Sequence, residues 1–205
     1  MRNVAIFGFK DSTVGQFLSY QDRKFISHIK CLINFEDILD KNLNKDKKNP
    51  TSKLREIIKN NKIFNIKIFS KQKVNYCLSK YNINEAYILE DSPIIRKKIF
   101  NFLKKKGIKT PNFIHETCKI GKECKIGKAS ILFPNCYIGY KTKIGISNII
   151  QANTNIEHHN IIENYCNIYP NVKTAGFVHI GDMCEIFFDT SIINKITIIK
   201  NIKIG

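Results

Sequence analysis

The sequence has no long apolar run, and this absence argues against insertion in a membrane. A transmembrane helix needs about 20 consecutive apolar residues, and no segment of the 205-residue chain approaches that length. The opening residues, MRNVAIFGF, are too short an apolar stretch for a secretory signal peptide. We therefore predict a soluble, cytoplasmic protein with no membrane insertion, long enough for one sizeable domain or two small ones.

Arginine is scarce, although the chain is strongly basic. The net charge is +17, but only Arg2, Arg23, Arg55 and Arg96 among the 34 basic residues are arginine. Arginine is the side chain best shaped to bind phosphates and guanine edges, and the lysines are spread along the whole chain. We therefore predict no nucleic-acid partner. The densest basic run, DKNLNKDKKNPTS at residues 40–52, has no apolar periodicity and is predicted to be a solvated loop or insertion.

The cysteine spacing lacks the signature of a metal or redox site. None of the seven cysteines forms a C-x-x-C pair, which is the spacing typical of zinc sites and redox motifs. Disulfides are rare in the cytosol. We predict that the cysteines pack as small hydrophobic side chains and that the protein holds no metal.

An unbroken six-residue period fills the second half of the chain. Every sixth residue from Ile114 to Ile204 is Ile or Leu, with Thr174 as the exception. A second series, four residues after each of these, consists mostly of small or medium residues. Glycine follows the aliphatic position in several repeats, for example at Gly121 and Gly139, where we expect tight corners.

This period predicts a parallel β-helix. Each repeat is a short strand plus a corner, three strands make a coil, and the repeats give about five coils. The stacked aliphatic side chains contribute roughly 1.5–3 kcal/mol each in gross burial. The small inward position is also occupied by five of the cysteines: Cys118, Cys124, Cys136, Cys166 and Cys184.

Residues 1–110 instead predict a small Rossmann-like α/β domain. Strands are expected at 3–9, 28–35 and 85–90, with a helical pattern through Val14, Phe17 and Leu18. A helix is expected over 92–107, with Ser92 as its N-cap. Alternating strands and helices indicate a parallel sheet. The turn after the first strand lacks the second and third glycines of a dinucleotide fingerprint, so NAD binding is not inferred. The β-helix domain is expected to span 111–205.

Two adjacent histidines interrupt the isoleucine pattern in IEHHNI, residues 156–161. Because Ile156 is an inward residue, His158 and His159 fall at a corner and point away from the shaft. An exposed imidazole can accept a proton near neutral pH, and general-base catalysis contributes roughly 10²- to 10⁴-fold in rate. The pair is therefore a candidate catalytic site, with two solvated histidines of no function as the alternative.

Three segments carry a resemblance to a known family: SPIIRKKIF (92–100), KTPNFIH (109–115) and NTNIEHHNIIENYCNIYPNVKTAGFVHIGD (153–182). With the order of an α/β domain before hexapeptide repeats, they resemble the left-handed β-helix sugar acetyltransferases, which include sialic acid O-acetyltransferases and the N-acetyltransferases of bacillosamine and perosamine biosynthesis. The resemblance covers nearly the whole chain. It implies a homotrimer with active sites between subunits, acetyl-CoA as co-substrate along the β-helix, and a sugar or nucleotide-sugar acceptor in surface glycan biosynthesis.

The resemblance also implies roles for individual residues. His158 matches the catalytic base, and His159 stands where the family has Asp or Glu, so that Glu157 or Glu163 is an alternative partner for the base. The residues implied to bind acetyl-CoA are Asn167, where many members carry His, Gly176 and Phe188. The residues implied to bind the acceptor are Gly8, Lys10, Asp11 and Ser12, with the segment 34–36.

Two alternatives stay open at this point. A metal site of the kind found in β-helix carbonic anhydrases needs three converging ligands, and His158, His159 and His179 are the available histidines. The chain also stops at Gly205 within a repeat, where the family usually continues through another coil, so a non-catalytic trimeric β-helix protein is the rival to an acetyltransferase. The sequence does not separate N-acetylation from O-acetylation.

Overall fold

The computed structural model describes residues 2–8, 11–35 and 62–205, with the backbone alone for Asp11 and Ser12. The predicted solvated loop at 40–52 lies outside these residues. The chain divides into two compact units, one made of residues 1–90 and 101–109 and the other of residues 91–100 and 110–205. A boundary at residue 110 stays a prediction. No helix in the described ranges is both long and apolar enough to cross a bilayer.

The first unit contains a mostly parallel sheet. Its described strands are β1 (Val4–Phe7), β2 (Ile29–Asn34), β3 (Lys62–Ile63), β4 (Ile66–Ser70) and β5 (Glu85–Ile88), in the order β3-β4-β2-β1-β5. Only β3 and β4 pair antiparallel among them. The described helices of the chain are α1 (Gln16–Ser19), α2 (Arg23–His28), α3 (Val74–Lys80) and α4 (Pro93–Lys105). The predicted parallel α/β region is confirmed.

Helix α2 was not predicted. The sequence favoured a strand from residue 28, whereas the chain is helical up to His28 and the strand begins at Ile29. The side chain of Asp22 caps this helix by accepting a hydrogen bond of 2.6 Å from the backbone N–H of Phe25, the N-cap arrangement that stabilises a first turn. Six residues are too few to show a clear helical period. The signal in the sequence that indicates this helix is Asp22, a residue type favoured at the N-cap.

The second unit is a left-handed parallel β-helix, as predicted. Its strands are β6 (Phe113–Ile114), β7 (Lys119–Ile120), β8 (Lys125–Ile126), β9 (Ile131–Leu132), β10 (Tyr137–Ile138), β11 (Lys143–Ile144), β12 (Ile149–Ile150), β13 (Asn155–Ile156), β14 (Ile161–Ile162), β15 (Asn167–Ile168), β16 (Lys173–Thr174), β17 (His179–Ile180), β18 (Glu185–Ile186), β19 (Ser191–Ile192), β20 (Thr197–Ile198) and β21 (Lys203–Ile204).

The strands stack on three faces. Face I contains β7, β10, β13, β16 and β19, face II contains β8, β11, β14, β17 and β20, and face III contains β6, β9, β12, β15, β18 and β21. Neighbouring strands on a face pair in parallel with a register of eighteen residues, so that Ile138 pairs with Ile156 and Ile156 with Thr174. A residue therefore lies over the one eighteen positions earlier.

The aliphatic series forms the core of the β-helix, as predicted. Ile138, Ile150 and Ile156 are fully buried, and Cys136, Cys166 and Cys184 lie in the same cluster, with Cys118 and Cys124 packed against it. All seven cysteines are free thiols. The exception, Thr174, is also buried, and its hydroxyl accepts a hydrogen bond of 2.6 Å from Nδ2 of Asn160. A polar pair inside the shaft thus replaces one aliphatic contact.

The corners differ from the prediction in one respect. The left-handed backbone conformation occurs not at the glycines but at every sixth residue from Glu123 to Asn201, with φ near +60°. Glycine is needed at position 139 for a different reason, which is lack of space. A Cβ there would lie 2.6 Å from the backbone of Glu157 and His158 in the next coil. These glycines allow close stacking of the coils, while ordinary side chains take the strained position.

Candidate active site

The two histidines lie on the corner between β13 and β14, where face I meets face II. The side chain of Asn160, buried in the shaft, fixes this corner from inside. Its Nδ2 donates to the carbonyl of Glu157 at 2.9 Å, and its Oδ1 accepts from the backbone N–H of Val178 in the next coil at 2.5 Å. A buried amide with its hydrogen bonds satisfied holds a single backbone arrangement, so the two imidazoles start from a fixed position.

The His158 side chain is exposed and lies against Gly176 of the next coil. A Cβ on residue 176 would fall 2.5 Å from Cε1 of the imidazole and 2.9 Å from both ring nitrogens. Glycine is therefore the residue that leaves room for the His158 ring. The family resemblance implies that Gly176 binds acetyl-CoA, and the structure places this glycine against the candidate base.

His159 is half-buried and has the left-handed corner conformation, with φ of +58°. Its Nδ1 lies 3.1 Å from Nδ1 of His158, within hydrogen-bonding distance. On one side its ring stacks on Phe177 at 4.8 Å between centroids, with 13° between the planes. It also makes a T-shaped contact with the Tyr140 ring, at 5.5 Å between centroids and 85° between the planes. The aromatic rings of the preceding and following coils thus hold the His159 ring.

A cavity of about 590 Å³ opens beside His159 towards face II. It is lined by apolar groups from Phe177 and Ile161 and by the charged side chains of Glu123, Lys125, Lys141 and Lys143. Lys125 and Lys143 pair directly across β8 and β11, and like charges opposite each other on adjacent strands are destabilising. Lys141 lies 3.8 Å from a carboxylate oxygen of Glu123. The cavity therefore has an excess of positive charge.

The carboxylate of Glu163 is paired with another histidine, His179. Oε1 of Glu163 lies 2.8 Å from Nε2 of that ring, on the outer side of face II. Within the described residues, no group of three or more His, Cys, Asp or Glu side chains is arranged to hold a metal ion. The partner that the structure gives to His158 is His159.

The residues predicted to bind acetyl-CoA are not all near this corner. Asn167 lies on face III, 5% exposed, where its Oδ1 accepts from Nη1 of Arg96 at 2.8 Å and its Nδ2 donates to the carbonyl of Asp91 at 2.7 Å. Phe188 lies on the corner between faces III and I, is 58% exposed and packs against Tyr169 at 5.2 Å. Of the three predicted residues, the structure brings Gly176 alone to the histidine pair.

The predicted acceptor residues belong to the first unit. Gly8 follows β1, has φ of +141°, and a Cβ on it would lie 2.6 Å from the carbonyl oxygen of Leu89. Asp11 begins a short π-helical turn, Asp11–Gly15, which also contains Ser12, and Lys10 lies outside the described residues. A cavity of about 430 Å³ includes Phe35 and Lys71 in its lining, each directly after a strand of the sheet. Ligands of open α/β sheets bind at such strand ends.

The sequence did not reveal three residues that position the histidine pair, which are Tyr140, Asn160 and Phe177. It also did not reveal Arg96, which holds Asn167 on face III. The register of eighteen residues was a usable signal for the aromatic pair, because Phe177 is eighteen residues after His159 and Tyr140 eighteen before His158. Asn160 stands in the inward series, where a polar side chain needs a buried partner. Arg96 has a related signal, since it lies among the apolar residues of a helix in a chain with little arginine.

No known family model matches the sequence. No curated protein matches it either. Solved structures do match along the whole chain. Among them is PerB from Caulobacter crescentus in complex with CoA and GDP-perosamine, with a TM-score of 0.77 and 13% identity over 100% of this chain and 87% of that one.

Two further structures extend the likeness. The acetyltransferase domain of PglB from Neisseria gonorrhoeae FA1090, in complex with acetyl coenzyme A, matches with a TM-score of 0.63 and 13% identity over 98% of this chain and 97% of that one. WeeI from Acinetobacter baumannii AYE matches with a TM-score of 0.61 and 14% identity over 98% of each. The chain has the fold of these proteins. The predicted resemblance to β-helix sugar acetyltransferases is thereby confirmed for the fold.

Proposed function

We propose that the protein is an acetyl-CoA-dependent acetyltransferase that modifies an amino or hydroxyl group of a sugar or nucleotide-sugar, with His158 as the general base. The observation that carries this proposal is the exposed His158 ring, which lies against Gly176 and has its Nδ1 within hydrogen-bonding distance of a neighbouring imidazole. Nε2 of this ring is then available to a substrate. The likeness to PerB, solved with CoA and GDP-perosamine, supports the same substrate classes.

The reaction needs His158 to accept one proton and then to release it. Acetyl-CoA supplies an acetyl group as a thioester. Nε2 of His158 takes the proton from the acceptor amine or hydroxyl as the new N–C or O–C bond forms at the thioester carbonyl. The protonated imidazole then gives this proton to the sulfur as the C–S bond breaks. A base positioned in this way contributes roughly 10²- to 10⁴-fold in rate. Two of the solved PerB structures have a single histidine replaced by alanine or by asparagine.

The lysine-lined cavity supports a substrate with a diphosphate. Ammonium groups bind phosphate oxygens as point charges, and an anion between Lys125 and Lys143 would relieve the repulsion of this in-register pair. Phe177 and Ile161 offer apolar contacts beside them. CoA and a nucleotide-sugar both contain a diphosphate, so the cavity suits either. We propose that it holds the diphosphate of one of them next to the base.

The positions of the predicted residues favour an assembly. Asn167 and Phe188 lie away from the histidine corner of the same chain, on face III and at its edge with face I. Phe188 is exposed, so it can contact acetyl-CoA that is bound at the histidine corner of a second copy. Asn167 is 5% exposed and its side-chain amide is hydrogen-bonded to Arg96 and Asp91, so we propose no direct contact for it. We propose the homotrimer with active sites between subunits that the family resemblance implies.

We also propose a role in surface glycan biosynthesis in the cytoplasm, and acceptor binding by the first unit at the carboxyl ends of β1 and β2.

The test is acetyl transfer from acetyl-CoA to a panel of amino-sugar and hydroxy-sugar nucleotides, followed as thiol release. His158→Ala should reduce kcat by at least about 100-fold, while His179→Ala, at a histidine paired with Glu163 on the same β-helix, should have little effect. An unchanged rate in His158→Ala would remove His158 as the base. If calorimetry detects no binding of acetyl-CoA, a non-catalytic trimeric β-helix protein becomes the better description.

A further inference from the structure

We infer that His159 is a positioning residue that holds His158 in the tautomer required of a base by accepting a hydrogen bond from its Nδ1–H. This inference rests on the proposed function and adds to it how the base is oriented without a carboxylate. In effect, a neutral imidazole takes the place of an acidic side chain. The observations that carry it are the Nδ1 to Nδ1 distance of 3.1 Å and the aromatic contacts that hold the His159 ring.

The distance between the two Nδ1 atoms means that they share one proton. Two unprotonated nitrogens would have no hydrogen between them, and two N–H groups would repel each other. When the proton is on His158, Nε2 of that ring has a free lone pair, because neutral imidazole carries its proton on one nitrogen only. His159 then has its own proton on Nε2. This is the arrangement in which His158 can accept a proton from an acceptor group.

The His159 ring is held in the orientation that this hydrogen bond needs. Phe177 stacks on one side of it and Tyr140 contacts it by an edge. Tyr140 is itself tied by a hydrogen bond of 2.9 Å from its hydroxyl to Oε1 of Glu123. Phe177 also contacts the His158 ring, at 5.4 Å and 85°. The two imidazole planes are nearly perpendicular, at 86°, so the pair does not stack.

Proton uptake strengthens the hydrogen bond between the rings. When His158 takes a proton on Nε2 during the reaction, its Nδ1–H becomes a charged donor to His159, and hydrogen bonds from ionised donors are about twice as strong as neutral ones. A further proton on Nδ1 of His159 would break this bond.

Other charged and titratable groups surround the pair, and all of them stay in place in the variants below. They are Glu157 beside the pair, Tyr140 and Lys141 on the preceding coil, and Glu123, Lys125 and Lys143 on the wall of the cavity. Any difference in the pH profile of kcat/KM between variants at residue 159 therefore arises from the side chain at that position.

Three variants at residue 159 separate hydrogen bonding from packing. His159→Phe keeps an aromatic ring in contact with Tyr140 and Phe177 but has no acceptor. We expect kcat to fall about 10- to 100-fold with little change in KM, the range found when metal-bound histidines lose the partner that orients them. His159→Asn restores an acceptor and suits the left-handed conformation, so it should recover most of the rate. His159→Asp adds a negative charge that favours protonated His158, so the acid limb of kcat/KM should move to higher pH.

A measurement without catalysis tests the same point. The imidazole ¹⁵N shifts of the labelled protein, which has five histidines, distinguish the two neutral tautomers. We expect His158 to be protonated on Nδ1 and His159 on Nε2, and His159→Phe to remove the preference at His158. A wild-type His158 protonated on Nε2, or wild-type kinetics in His159→Phe, would overturn the inference. If the protein transfers no acetyl group but the expected tautomers are found, the proposed function fails while the positioning role stands.

Discussion

Gly176 and His158 lie in contact across neighbouring coils, so close that residue 176 has no room for a methyl group. A Cβ there would lie 2.5 Å from Cε1 of the imidazole. The contacting atoms belong to the end of a side chain and not to the backbone, so an added methyl group would displace the ring and leave the coil in place. The shape of the candidate site therefore depends on the absence of a side chain at one position.

Gly176→Ala should reduce activity without unfolding the protein. The His158 ring must rotate away from the new methyl group, and a misplacement of about 1 Å at a catalytic group can cost about 10²-fold in rate. We expect kcat to fall about 10- to 100-fold with a thermal unfolding midpoint near that of the wild type. Asn194→Ala is the matched control, because residue 194 holds the same corner position one coil later. Equal kinetics in both variants would show that His158 tolerates the displacement.

Lys143→Glu should separate stability from ligand binding. The change turns a like-charged pair with Lys125 into an opposite-charged one on adjacent strands, which is worth about 0.2–1 kcal/mol, so the free energy of unfolding should rise slightly. The affinity for CoA or GDP, measured by calorimetry at low salt, should fall. Lys119→Glu changes the same charge on face I and should leave both affinities unchanged. A loss confined to CoA or to GDP would identify which diphosphate the cavity holds.

Arg96→Lys should destabilise the β-helix strongly. The fully buried guanidinium donates to the carbonyls of Ser147 and Tyr165 at 2.8 and 2.6 Å and to Oδ1 of Asn167 at 2.8 Å. A lysine ammonium cannot reach these divergent acceptors together, and each lost hydrogen bond to a charged group costs about 1.5–3 kcal/mol. We expect a loss of at least about 3 kcal/mol in urea unfolding.

The control for this variant is Lys98→Met, two residues along the same helix at an exposed position. It should change the free energy of unfolding by less than about 0.5 kcal/mol. If Arg96→Lys is equally mild, the buried hydrogen bonds of Arg96 contribute little to the stability of the fold.

Cys118 should be the most reactive thiol among the cysteines of the β-helix. A hydrogen bond with Cys136 lowers the pKa of Cys118 to about 7, whereas the same contact and burial raise the pKa of Cys136. Below pH 6 the Cys118 thiol is protonated and unreactive, and its labelling by iodoacetamide should rise through pH 7. Burial also raises the pKa of Cys166, which should stay unlabelled.

Cys136→Ala tests the cause of this reactivity. Without the hydrogen bond, the pKa of Cys118 should return towards its usual value near 9, and the thiolate fraction at pH 7 should fall roughly 50-fold. Labelling at pH 7 would slow accordingly, as read by peptide mass spectrometry. A labelling rate that does not change in this variant would show that Cys136 does not activate Cys118.

The sequence predicts the β-helix almost completely, because the pattern repeats every six residues. Each inward side chain therefore packs against the equivalent side chain of the next coil. Ile156 and Ile138 are in contact for that reason alone. The first unit is less predictable, since elements as short as α2 contain too few residues for a period. At the site, the corner position of His158 followed from the period, but the left-handed backbone of His159 and the buried contact of Asn167 with Arg96 depend on distant residues and were not foreseen.

The register of eighteen residues has a consequence for engineering. In most folds, the neighbours of a side chain can be found only from coordinates, whereas on this β-helix they follow from arithmetic on the residue number. Glu123, Lys141, His159, Phe177 and Lys195 form one such corner series. Two side chains can be placed next to each other on neighbouring coils by substituting two residues that are eighteen positions apart, with the backbone unchanged.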